Sequence, residues 1–315
     1  MLIRLLRLGG GSAAATGLAL WLSGRSQRPE ESAATAVRDR VAVPADPSLP
    51  ELAVARGEDP AQLARAAVEA LGGMRRFVSR GDIVVIKPNI AWDRTAEQAA
   101  NTNPLVVAEI ARLCLNAGAR KVVVTDVPTN EPRRTFARSG IAAAARAAGA
   151  EVVLPQESLF RTVDLHGEVL DSWPVLEPFL SADKIINIPI AKHHSLTGAT
   201  LGMKNWYGIL GGARHRLHQR IHESLADLAQ FMRPTLTVMD AWRVLMRNGP
   251  GGGNLADVSL KKTLIAGTDP VALDAYVAKA YFDLDRRTLR YFDLASRRNL
   301  GTPDFEKLRV RVVTT

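Results

Sequence analysis

Between Ile186 and Gly212 the chain reads INIPIAKHHSLTGATLGMKNWYGILGG, which gathers two lysines, two adjacent histidines, three serine or threonine hydroxyls and five glycines. Glycines let backbone approach a ligand closely. A lysine holds phosphate or carboxylate, or acts as a base when desolvated, and histidine is the side chain whose ordinary pKa lies near neutrality. Lys204 and a histidine are therefore the candidate catalytic pair, with His193 preferred although nothing in the sequence separates it from His194. Lys192 and Asn205 are candidate ligand-holding groups. Leu201, Met203, Trp206 and Ile209 are interspersed as apolar anchors, so the lysines are expected to be held in place instead of lying on a basic surface loop.

A second set of polar residues stands just beyond short apolar runs. Ile83–Ile86 leads into Lys87-Pro88-Asn89, where proline fixes the backbone between two polar side chains. Lys121–Thr125 leads into Asp126, Thr235–Met239 into Asp240, and Thr263–Ala266 into Gly267-Thr268-Asp269. Lys87, Asn89, Asp126, Asp240 and Asp269 join the candidate ligand-binding set, although Asp126 and Asp240 could equally cap the helices that follow. Five of the six histidines lie between positions 193 and 222. His215, His218 and His222 fall at i, i+3 and i+7 of a helix expected over Arg214–Met232, so they share one stripe. His218 and His222 could ligate a metal, but Gln219 stands where a zinc-protease helix carries glutamate. The other reading is a polar, site-facing stripe opposite Leu225, Leu228 and Phe231. Asn248-Gly-Pro-Gly-Gly-Gly-Asn254 lacks the endings of nucleotide-binding loops, and reads either as a flexible turn or as a lid beside Asp240.

The elements that must position these residues alternate between apolar runs and amphipathic segments from Leu52 onward. Helices are expected from Pro60, from Asn103 and over Arg133–Ala148, with strands at 52–55, 83–86, 121–125, 151–154, 184–188, 235–239 and 263–266. This alternation is that of an α/β fold: a mainly parallel sheet flanked by helices in Rossmann-like layers. In such a sheet ligands bind outside the carboxyl ends of the strands, so five strands would aim their polar residues at one edge. Thr102-Asn103-Pro104 and Thr268-Asp269-Pro270 place a capping side chain before a proline suited to a first helical turn.

At 315 residues and 47% hydrophobic content the chain can bury a large core. The formal charge of +9 is spread along the chain and aromatics make up only 5%, so no concentrated basic face for nucleic acid is expected. Small anionic ligands remain open. Cys114, the single cysteine, rules out an internal disulfide and a cysteine-ligated iron–sulfur cluster, and reads as core. Arg4 and Arg7 precede an apolar run from Leu8 to Leu22 and no acid occurs before Glu30, which is the order of an export signal or membrane anchor over residues 1–25. Residues 26–50, rich in proline, alanine and charge, read as a linker, and 51–315 as the α/β domain.

Several of these motifs together resemble the family known as domain of unknown function 362. They are Lys87-Pro-Asn, Lys192-His-His-Ser-Leu-Thr-Gly-Ala-Thr-Leu-Gly-Met-Lys-Asn205, Asn248-Gly-Pro and Ala266-Gly-Thr-Asp-Pro-Val-Ala-Leu-Asp274. The resemblance runs from about Leu52 to Tyr281. Members of that family are often joined to iron–sulfur modules, which implies redox chemistry and a separate redox partner for some of them; this chain has no cysteine cluster of its own. The order of His, Thr-Gly and Lys over 193–204 also resembles the site segment of nickel-pincer lactate racemases, which implies a lysine that anchors a cofactor and histidines that move protons. The expectation is an exported or membrane-anchored enzyme acting on a small anion. The alternatives are a non-catalytic envelope binding protein and a histidine-ligated metalloprotein or racemase-like enzyme.

Overall fold

The computed structural model describes residues 43, 46–285 and 288–315, so the expected export signal or anchor and most of the expected linker lie outside the described residues. Strand β1 (Leu52–Arg56) opens the domain and leads into helix α1 (Pro60–Ala70). Next come β2 (Ile83–Pro88), α2 (Pro104–Ala117), β3 (Lys121–Val124), α3 (Pro132–Arg138), α4 (Ile141–Ala147) and β4 (Glu151–Val152). A two-stranded hairpin, β5 (Phe160–Asp164) and β6 (Ser172–Leu176), stands apart from the main sheet and precedes α5 (Glu177–Ser181). Then follow β7 (Lys184–Ile188), β8 (Ile190–His194), β9 (Gly198–Thr200), α6 (Gly202–Asn205) and α7 (Ile221–Phe231). The chain ends with β10 (Leu236–Leu245), β11 (Val258–Gly267), α8 (Pro270–Phe282), α9 (Tyr291–Arg297) and β12 (Val310–Thr314).

The main sheet runs in the order β12-β1-β11-β10-β7-β2-β3-β4. The five strands β10, β7, β2, β3 and β4 are mutually parallel, whereas β11 is antiparallel to both β10 and β1. From β2 the chain winds outward through β3 to β4, then returns to place β7 on the other side of β2. Chain order therefore reverses between β2 and β7, and a crevice opens there at the carboxyl ends of the strands. Beyond Pro189, β8 pairs with the far half of β10, and the β8–β9 hairpin extends the sheet over that crevice.

Period-two alternation divides the core between the two faces of the sheet. Val84, Ile86, Val122, Val124, Ile186 and Ile188 pack with α1, α2 and α4. Val85, Val123, Ile185, Met239 and Ile265 pack with α7, α8 and α9. Cys114 is buried in the first of these clusters, and burial pushes its thiol pKa up.

Several expected elements take a different form. The single helix expected over 133–148 is two, because Gly140 sits at φ 75 in the left-handed region and breaks the ladder before α4. The helix expected over 214–232 is a 3-10 helix from Arg214 to Arg220, with α7 beginning only at Ile221. The Asn103 and Asp269 caps form as expected: Asn103 accepts from Leu105 N, and Asp269 from Val271 N and Ala272 N.

Candidate functional site

At the switch point Lys87 of β2 lies in register with Asn187 of β7. The Lys87 side chain is fully buried, and its Nζ forms an ion pair with Asp126 Oδ1 at 2.7 Å while also donating to Pro88 O and Asn205 Oδ1. Asp126 stands just past β3 and accepts from Ile90 N and Val127 N. Asn205, at the end of α6, ties the two strands together: its Nδ2 donates to Asn187 Oδ1 at 2.8 Å and to Lys87 O at 3.2 Å, while Oδ1 also accepts from Asn89 Nδ2. Asn89 Oδ1 in turn accepts from Lys192 Nζ, which donates a second bond to Ala100 O. One network thus joins Lys87, Asn89, Asp126, Lys192 and Asn205, all buried.

Two details of the backbone make this packing possible. Gly208 passes so close to the ion pair that any Cβ there would run into Asp126 Oδ1 and Lys87 Nζ. The short helix α6 is held by Asp274 of α8, whose carboxylate accepts from Gly202 N at 2.7 Å and Met203 N at 2.9 Å. Burial raises the Asp274 pKa to about 7, against the pull of those two bonds.

The network forms the floor of a cavity of about 390 Å³. Lys204, the other lysine of the 192–204 segment, lines it and is 8% exposed. Its ammonium lies 4.9 Å from the centre of the Tyr207 ring, and among the described residues no carboxylate or hydrogen-bond acceptor meets its Nζ. Burial, with the nearby Arg214 charge, lowers its pKa to about 8. Arg214 also lines the cavity and spends its guanidinium on three neutral carbonyls, those of Val127, Pro128 and Tyr207. Burial lowers the pKa of Lys192 well below its ordinary value, with the Lys204 charge adding to the effect. The Thr200 hydroxyl is buried at the cavity wall without a hydrogen-bond partner. Lys87, Lys192, Lys204 and Arg214 thus surround a cavity in which Asp126 is the lining carboxylate.

His194, not His193, faces this space. The reason is strand periodicity: on β8 Lys192 and His194 point to one side with Thr200 opposite Lys192, and His193 points to the other. His193 instead accepts from Gly249 N through Nδ1 and so fastens the glycine-rich loop, which places Pro250 at the cavity and packs Gly251 against Trp92. His194 Nδ1 accepts from Leu196 N, which leaves the proton of its neutral ring on Nε2. His218 lies 3.2 Å through Nδ1 from His215 O, an oxygen that can only accept, so its proton is on Nδ1 and its Nε2 lone pair is free. The two rings are nearly parallel, with centroids 6.3 Å apart, and His218 meets Tyr207 edge-on. Burial first, then the Lys204 charge, lowers both pKa values, that of His194 to about 3.

Three expected placements change. Asp269 is at the opposite edge of the sheet, because β11 runs antiparallel; there it caps α8 and accepts from Thr302 N. Asp240 lies at the correct edge but beneath the surface, its carboxylate spent on Asn103 N and Trp242 N, and burial raises its pKa to about 6. His218 and His222 do not converge, since the 3-10 geometry brings His215 and His218 to the cavity while His222 on α7 stacks on Tyr291. Among the described residues no group of three or more His, Cys, Asp or Glu side chains could hold a metal ion. Arg214, Tyr207 and Trp92 were not singled out from the sequence, and Thr200 only as one of the hydroxyls of the 186–212 segment. For His194 the signal was present in the two-residue spacing from Lys192, whereas Arg214 carried none.

A mainly parallel α/β sheet with a cation-lined cavity at its switch point defines the class of this protein. The chain belongs to the family described as Domain of unknown function (DUF362), which matches residues 84–279. It is 27% identical over 245 residues to a thylakoid-associated protein of Synechocystis sp., covering 75% of this chain and 74% of that one. The lactate racemase apoprotein of Thermoanaerobacterium thermosaccharolyticum matches with a TM-score of 0.41 and 12% identity, over 69% of this chain and 54% of that chain, so this protein spans about half its length.

Proposed function

We propose that the cavity binds a small carboxylate- or phosphate-bearing molecule and that the protein is an enzyme moving a proton on it, with Lys204 as anchor or base and His194 and His218 as the proton-handling pair. One observation carries this reading: Lys204 is a buried residue at the cavity whose Nζ meets no hydrogen-bond acceptor among the described residues, and Thr200, lining the same cavity, has a buried Oγ1 without a hydrogen-bond partner. A buried polar group is expensive without a hydrogen bond, and a buried cation more so, so a bound anion is what completes them. The same anion would offset the Lys204 charge, which adds to burial in lowering the pKa values of His194 and His218, and so would raise both. His194 then presents Nε2–H and His218 a free Nε2, a donor and an acceptor on facing rings.

Lys204→Met is the direct test. Titration with oxalate and inorganic phosphate, read by calorimetry, is expected to show binding to the parent protein and none to the variant, with cooperative thermal unfolding retained. A variant that unfolds would make Lys204 structural, and unaltered binding would remove the anion site. Anion binding without proton–deuterium exchange on any of a panel of small hydroxy, oxo and amino acids would favour the second reading, a non-catalytic binding protein. That reading has its own support, because burial holds the His194 pKa at about 3 in the free protein, well below neutral pH.

The Synechocystis relative is thylakoid-associated by name, which supports a membrane-associated chain here, attached through residues 1–25. Among the described residues no helix is long and apolar enough to cross a membrane. Release of the full chain into the soluble fraction at low salt, without carbonate or detergent, would count against attachment.

A further inference from the structure

Three lysines line the cavity, and their surroundings divide them. Lys87 Nζ has a carboxylate and two oxygen acceptors, and Lys192 Nζ has Asn89 Oδ1 and Ala100 O. Lys204 Nζ has only the face of Tyr207 and open cavity. Its amine is the one whose lone pair, once a proton is lost, is not tied up or walled off. His218, whose Nε2 lone pair is left free by the bond at its other nitrogen, lines the same space, as does Thr200, whose hydroxyl has no hydrogen-bond partner.

We propose that Lys204 is a nucleophile that forms an imine with the carbonyl carbon of an anionic oxo compound, a 2-oxo acid or an aldehyde acid. This rests on the anion-binding reading above and names the substrate class for that site. In the first step the lysine nitrogen bonds to the carbonyl carbon as the C=O π bond opens, and one N–H proton passes to the oxygen by way of His218 Nε2. A second proton, taken up from solvent and carried by the same nitrogen, then converts the hydroxyl to departing water. The products are a protonated imine and water; no oxidant or reductant is required. Arg214, with no carboxylate partner, and Lys192 supply positive charge for the anionic end of the substrate, and Thr200 Oγ1 a hydrogen bond.

The lowered Lys204 pKa agrees with such a role. At pH 7 a group of pKa about 8 is unprotonated in about one molecule in ten, against about one in three thousand for an ordinary lysine at 10.5. Reaction at Lys204 is therefore expected to outpace reaction at any exposed lysine by up to roughly three-hundredfold.

The test is reductive trapping. The intact protein is incubated at pH 7 with glyoxylate, pyruvate or 2-oxoglutarate and sodium cyanoborohydride, then read by intact mass and peptide mapping. The expected result is a single reduced adduct at Lys204 with at least one of the three, absent from Lys204→Arg. That variant keeps the charge, and its unfolding curve establishes that it folds. Adducts scattered over exposed lysines at a rate unaffected by Lys204→Arg overturn the proposal. Binding of oxalate by calorimetry without any trapped adduct overturns the imine and leaves the anion site standing; absence of both overturns the two together.

Discussion

Replacing Asp126 by asparagine would remove one charge from the floor of the cavity while keeping the shape of the side chain. In the parent protein Lys87 is 0% exposed and Asp126 2%, with 2.7 Å between nitrogen and oxygen. Removing one member of such a pair leaves an uncompensated buried charge, at a typical cost of about 3–5 kcal/mol. The cost has a ceiling, because Lys87 can shed its proton. From an ordinary pKa of 10.5, deprotonation at pH 7 costs at most roughly 5 kcal/mol, and at pH 9.5 only roughly 1 kcal/mol. The sign follows from linkage. Lys87 already titrates below its ordinary value because burial outweighs the Asp126 attraction, and losing Asp126 lowers it further. The unfolded chain then holds more protons between the folded pKa and 10.5, so stability rises with pH across that window. Guanidinium unfolding followed by circular dichroism should show a deficit of about 3–5 kcal/mol at pH 7, shrinking toward roughly 1 kcal/mol at pH 9.5. Adding Lys87→Met to Asp126→Asn should recover most of it. A deficit that is the same at both pH values, or a double variant no more stable than the single one, would refute the assignment of the cost to Lys87.

The remaining expectations concern the walls. Gly208→Ala forces a methyl into the Lys87–Asp126 pair and should cost about 1–3 kcal/mol or more in the same unfolding assay; an unchanged midpoint would deny the close approach. Arg214→Gln removes a cavity cation and should weaken oxalate binding by about 10- to 150-fold, the worth of a charge-assisted hydrogen bond of about 1.5–3 kcal/mol. His194→Gln should abolish proton exchange on a bound substrate, whereas His193→Gln should retain it and instead raise proteolytic nicking in the 248–254 loop that Gly249 N ties to His193. Equal loss of exchange in both histidine variants would contradict the strand-face assignment.

The residues that proved legible from sequence are those that close a strand–helix unit in the parallel half of the sheet. Lys87 stands at the end of β2, with Asn89 and Asp126 just beyond β2 and β3, and the rule for parallel strands places them at this edge without knowledge of any long-range contact. Asp269 failed that rule because its strand has the same apolar pattern as the others; direction is a property of pairing, and β11 pairs antiparallel with strands on both sides. The choice between His193 and His194 required knowing that 190–194 is extended, which a stretch crowded with charge does not announce. Arg214 was out of reach for a different reason: its guanidinium is placed by the carbonyls of Val127 and Pro128, 87 and 86 residues away. So too with Asp274, which holds the turn at Gly202 across 72 residues.

Lys87 and Lys204 show why residue type alone could not assign roles within the site. Both are buried lysines on the same cavity, and both are matched by the same family resemblance. Lys87 meets a carboxylate, two oxygen acceptors and the bare backbone of Gly208, so every donor is spent and the group fixes the distance between β2, β3 and α6. Lys204 sits on the helix that this scaffold and Asp274 hold in place, with its own nitrogen left over. A fully satisfied cation strengthens the structure around it and has nothing left to offer a ligand, whereas an unsatisfied one raises the free energy of the empty protein and recovers it only when an anion or an electrophile arrives. The division of labour is therefore set by hydrogen-bond partners, and it directs experiments on stability to Lys87 and experiments on chemistry to Lys204.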